Sequence, residues 1–207
     1  MNHQSAAKLA AALERRTPMF EPLVAISIIS LITSWVIQPY VAQALTQQGP
    51  LAQQAAQGAL WLSGVLSPVA ALGKALTAAL VCWACAVFLG ERLSLAKLAS
   101  AFCLAEIVFS LRDLTVAGVL AARGVGAVHT TADLMVAFGA NAFVHGTSPL
   151  QRISLETWDF FTVAWAAFVC ALLRGVCKSS ARSAVVLAGV AFTVRTLFAA
   201  AALLYAL

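Results

Sequence analysis

Charge is scarce in this chain. Thirteen Lys and Arg and eight Asp and Glu account for 10% of 207 residues, against 62% hydrophobic. With a mean hydropathy of +0.91, that shortage excludes an ordinary soluble domain, which needs far more polar surface. Catalytic signatures are missing as well: there is no HExxH, GxSxG, Walker loop or dinucleotide glycine fingerprint, so neither enzyme chemistry nor a cofactor is expected. A disulfide framework is equally unexpected, because Cys82, Cys85, Cys103, Cys170 and Cys177 all fall in apolar stretches and none lies in a polar loop of an oxidising compartment. The formal charge of +5 does not point to nucleic acid, since its basic residues are scattered at the ends of apolar runs.

What the chain has is long apolar runs. A helix crossing about 30 Å of hydrocarbon needs ~20 apolar residues, which leaves room for five spans, expected over about 23–45, 68–90, 98–122, 158–175 and 183–206. Residues 1–20, with Lys8, Glu14, Arg15 and Arg16 on an Ala/Leu background, read as an amphipathic helix on the membrane surface. A cleavable signal is disfavoured there, because the leading region contains acids and further spans follow. Gly49-Pro50 signals a turn, and Ser67-Pro68 opens the second span. The mixed segment 123–152 contains a stretch, 132–144, that is apolar but too short to cross. The expected fold class is therefore all-α, an integral membrane five-helix bundle. With the N-terminus inside, the inner connections hold Lys8, Arg15, Arg16, Arg92, Lys97, Arg174, Lys178 and Arg182, and the outer ones only Arg123 and Arg152. That bias places the N-terminus in the cytoplasm and the C-terminus outside, in a membrane of bacterial inner-membrane type.

The run Ile153-Ser154-Leu155-Glu156-Thr157-Trp158-Asp159-Phe160-Phe161-Thr162-Val163-Ala164-Trp165 resembles the Asp-Leu-Phe-Thr-x-Trp stretch that opens the fourth helix of Yip1-domain membrane proteins. Asp159, Phe160 and Trp165 carry the likeness. Ser67-Pro68, Gly90-Glu91-Arg92-Leu93-Ser94 and the basic turn 178–182 fall in the family's order, so the resemblance covers about residues 15–207. It implies a five-helix integral membrane protein without known catalysis, linked in eukaryotes to vesicle trafficking and small GTPases. One departure stands out. Third helices of that family often carry a Tyr and a Pro, whereas this one carries Glu106, Arg112 and Asp113. No cytoplasmic segment matches a GTPase-binding motif, so that partner is not carried over. The partners expected are the lipid bilayer and other membrane proteins or a second copy of this chain.

Five charges lie inside apolar segments: Lys74, Glu106, Arg112, Asp113 and Arg195. An ionisable group at the bilayer centre costs roughly 3 kcal/mol on insertion scales, so such groups face protein or water. At 1.5 Å per helical residue, Lys74 lies about 9 Å and Asp113 roughly 13 Å in from the same side, which makes a Lys74–Asp113 pair feasible. Glu106 and Asp113 share a helix face, and Arg195 falls between their depths. Arg112 points elsewhere, towards snorkelling or a lipid headgroup. Such a network can form a substrate or proton pathway, but interhelical packing is the favoured reading. Cys82-Trp83-Ala84-Cys85 has redox spacing, yet nothing there lowers a thiol pKa, and small buried hydrophobes explain it. His129, Asp133, His145 and Asp159 match no zinc spacing and read as loop residues; no metal is expected.

Overall fold

The computed structural model describes residues 20–46, 49–134, 136, 138 and 159–204. The expected surface helix over 1–20, most of the short apolar stretch 132–144, and the leading half of the Asp-Phe-Phe motif at 153–158 lie outside them. Every element of the described residues is helical: α1 Phe20–Ala44, α2 Pro50–Phe88, α3 Leu95–Ala105, α4 Ile107–Arg123, the 3-10 turns Val125–Ala127 and Thr131–Leu134, α5 Phe160–Gly175 and α6 Ala181–Leu204. Three helices are long and apolar enough to cross a membrane: α1, α2 and the Ala181–Phe198 part of α6. α5 is apolar but shorter. The described residues thus form an all-helical bundle of integral membrane type.

α2 is the axis of the bundle, in contact with α1, α3 and α6, while α1 also packs on α4 and α5 on α3, α4 and α6. Its extent differs from the sequence expectation. Pro68 does not open the helix; it sits inside one continuous helix that starts at Pro50. Pro50 takes the first helical position, where a missing N–H costs nothing, after Gly49 turns the chain at a φ of +92°. Inside the helix a proline frees the carbonyl four residues back. That carbonyl belongs to Gly64, and the Ser67 hydroxyl donates to it at 3.0 Å. One serine thereby repairs the backbone and the helix runs on. At about 58 Å, α2 exceeds the ~30 Å hydrocarbon layer, so it either tilts strongly or projects into the interface.

Gly64 also sets the α1–α2 distance. A Cβ there would stand 2.8 Å from Ser34 Oγ, the hydroxyl that reaches Leu60 O at 3.4 Å. The third rod is likewise not a simple span. It is interrupted at Glu106, whose φ of −61° and ψ of −19° tighten one turn, with Phe109 N–H donating to Glu106 O at 3.1 Å. Tight turns inside a helix accompany strain or function more often than chance.

Two apolar clusters hold the ends of the bundle. The larger joins α2, α3, α5 and α6 around Leu98, Phe102, Trp165, Leu173 and Leu187. The smaller joins α1 and α4 through Tyr40, Ala44, Leu120 and Val128. Two turns meet beside the larger one. Ser180 caps α6 by accepting from Ser183 N–H at 3.2 Å, and Ser180 N–H donates to Glu91 at 3.2 Å. In an ordinary capping box the acid comes from the same helix; here the α2–α3 turn supplies it. The Ser183 hydroxyl, then the backbone N–H and hydroxyl of Ser180, hold the Glu91 carboxyl below its usual range.

Candidate functional site

Between the two clusters the bundle is polar. Arg195 Nη1 on α6 lies 2.7 Å from Glu106 Oε1 at the α3–α4 break. Glu106 is 6% exposed, so its carboxylate needs a cation: charge removed from water is tolerated only when paired and hydrogen-bonded. The guanidinium also lies over the Phe109 ring, 3.3 Å from its centroid, and 5.3 Å from that of Trp165. Stacking of this kind suits the flat, delocalised cation of arginine. Trp165 in turn packs against Phe102 and Phe109, with ring centroids 6.4 and 6.0 Å apart. Its Nε1 faces Glu106 without reaching hydrogen-bond geometry.

Two cavities flank this pair. The larger, about 370 Å³, is lined by the charges Lys74, Glu106, Asp113 and Arg195 and by the hydroxyls of Ser30, Thr33, Ser34, Ser63, Ser67 and Ser110. The smaller, about 290 Å³, shares Lys74, Glu106 and Arg195 and adds Trp165 and Phe198. Glu106 and Asp113 thus face one cavity, as their seven-residue spacing implies. Lys74 and Asp113 line it together, but among the described residues neither makes an ion pair or hydrogen bond with the other or with a third group. Arg195, not Lys74, is the cation in contact with a carboxylate here.

Arg112 corrects the sequence reading. It does not stand apart: its Nε is 3.0 Å from Asp159 Oδ2. The contact is a charge pair and not an aligned hydrogen bond, because neither atom has a partner of hydrogen-bond geometry. Asp159, 2% exposed, uses its other oxygen to cap α5, accepting from Thr162 N–H and Thr162 Oγ1 at 2.7 Å each. One carboxylate therefore starts α5 and ties it to α4. Phe160 beside it is exposed and edge-on to Phe161.

The loop residues weighed as metal ligands do other work. Asp133 Oδ2 accepts from His129 N–H, Thr130 N–H and Thr130 Oγ1 at 2.9, 2.7 and 3.0 Å. The His129 and Thr130 donors hold its carboxyl below the usual range, and His145 lies outside the described residues. Cys82 is buried and donates to Leu187 O at 3.4 Å, and the five cysteines are free. Sequence reasoning missed the hydroxyl seam along α1 and α2 and the aromatic seat of Arg195. Isolated serines in apolar runs gave no sign that they converge, although Phe109 stands one turn beyond Glu106.

Searched against models of protein families, curated proteins and solved structures, the chain has no match. The likeness to Yip1-domain proteins consequently rests on the motif residues alone.

Proposed function

We propose that this chain is a non-catalytic, Yip1-like integral membrane bundle that organises or assists a membrane complex, or a trafficking or lipid process, with its N-terminus cytoplasmic and its C-terminus outside a bacterial-type inner membrane. The observation that carries this reading is the use to which the motif is put. Asp159 starts α5 and pairs with Arg112, and Trp165 seats Arg195. Two of the three charges that departed from the family pattern are thus tied to residues that matched it, Arg112 directly and Glu106 through Arg195, as in a locked scaffold. Affinity purification of the tagged chain from native membranes in mild detergent, read by mass spectrometry, is expected to recover membrane proteins reproducibly. Recovery of the chain alone across several detergents would sink the proposal.

A second reading, a small transporter or permease subunit, is favoured by the larger cavity, because paired and unpaired charges facing a polar cavity are a common feature of substrate and ion pathways. Uptake or proton flux in proteoliposomes that vanishes on Asp113→Asn, with folding intact, supports it. Absence of flux under varied gradients removes it.

A further inference from the structure

The geometry points to the larger cavity as a binding site for a small zwitterion, a molecule carrying one anionic group and one ammonium. The inference goes beyond both readings above, since a scaffold and a carrier can each hold such a ligand. It starts from the charges. Glu106 and Arg195 satisfy one another at 2.7 Å. Lys74 and Asp113, on the same wall set, are left as one cation and one anion with no ion-pair or hydrogen-bond contact among the described residues, and Asp113 meets Arg112, Lys74 and Arg195 only through space. Two cations and two anions sum to zero. Lys74 and Asp113 are exposed in the isolated chain, but at membrane depth an ionisable group needs protein, water or a ligand to face. A ligand of net charge would leave one of them uncompensated. An apolar ligand would leave both, together with the Thr33 hydroxyl, without partners. A zwitterion meets Lys74 with its anionic group and Asp113 with its ammonium, and strands nothing.

The hydroxyl lining adds the hydrogen-bond capacity that such a ligand needs. Thr33 on α1 is 6% exposed, and its Oγ1 has no hydrogen-bond partner although it lines the cavity. Buried hydroxyls are nearly always satisfied, so an unused one at this wall is a group waiting for an acceptor. Size limits the ligand. Ligand pockets run from about 300 to 1,000 Å³, and 370 Å³ admits an amino acid or a single headgroup. The same chemistry thus has two sources, a free amino acid or the headgroup of phosphatidylethanolamine.

The full chain in nanodiscs tests this. In phosphatidylglycerol discs, titration with glycine, L-alanine and L-leucine is expected to give at least one Kd tighter than about 1 mM if the source is a free amino acid. Propionate and propylamine, each with half of the charge pair, are expected to bind roughly tenfold or more weakly, as loss of a charged hydrogen bond implies. If the source is lipid, phosphatidylethanolamine is retained in preference to phosphatidylglycerol through purification and raises the melting temperature in mixed discs. Asp113→Asn and Lys74→Gln each abolish whichever response is seen. The Glu106–Arg195 pair is untouched in both variants, and if either fails to fold, the one-charge analogues decide. No response to any amino acid or to phosphatidylethanolamine, analogues binding as well as the zwitterion, or folded variants binding as before would each overturn the inference. Binding without flux removes only the carrier reading, and partner recovery without binding removes only this one.

Discussion

Arg195 meets three groups at once: the Glu106 carboxylate and the rings of Phe109 and Trp165. Removing one member of a buried ion pair leaves the other charge uncompensated and costs about 3–5 kcal/mol, while replacing both with apolar groups is often close to neutral. Glu106→Gln and Arg195→Met are therefore each expected to destabilise strongly, and the double variant by less than their sum. Denaturant unfolding in detergent should give a coupling of at least about 1 kcal/mol; strictly additive losses would mean that the pair holds nothing together. Asp159 allows a cleaner separation of roles. Asn is as good an N-cap as Asp, whereas Ala loses the cap at a cost of about 1 kcal/mol and also strands Arg112. Asp159→Asn should thus lower the melting temperature less than Asp159→Ala, by the value of the cap. Equal losses would show that the cap contributes nothing and that the Arg112 charge pair is all that Asp159 supplies.

At the level of elements, helix ends and breaks decide where the polar groups go. Ser67 lets α2 pass through Pro68 by taking the Gly64 carbonyl, and that continuity brings Ser63, Ser67 and Lys74 onto one cavity wall. The turn at Glu106 turns a buried acid towards Arg195. Glu91 joins the α2–α3 turn to the start of α6 through Ser180 and Ser183. Its carboxyl is depressed in the folded chain, so its contribution is present at neutral pH and disappears as pH falls from the unfolded value of 4.5 through the folded one. A melting profile of wild type against Glu91→Gln should converge below that point and separate above it, with the wild type higher. Parallel profiles across the whole range would mean that Glu91 anchors nothing. The sequence marked Gly90-Glu91 and 178–182 as turns, but no pattern within either one shows that they touch.

For the whole molecule, arrangement in the membrane is the first quantity to measure. The positive-inside bias predicts that alkaline phosphatase fused after residue 207 is active and that a fusion after Arg92 is inactive. The reverse pattern would invert the topology, and activity at both would mean an even number of crossings between them. The helical and membrane-type character of the bundle was legible from composition and run length alone, because lipid forces every spanning segment to satisfy its own backbone. Helix extents were less legible: α2 begins at Pro50 and not at Pro68, since a side-chain hydroxyl from the preceding residue can replace the hydrogen bond that proline removes.

The sequence by itself determined which residues are costly in an apolar setting, and Lys74, Glu106, Arg112, Asp113 and Arg195 were visible for that reason. Helical periodicity also placed Glu106 and Asp113 on one face. Only the tertiary structure decided the partners. Arg112 goes to Asp159 and Arg195 to Glu106, leaving Lys74 and Asp113 to face a cavity. Depth along a helix is set by a rise per residue and can be counted. Rotation and neighbour choice depend on how whole faces pack, and no spacing within one helix contains them.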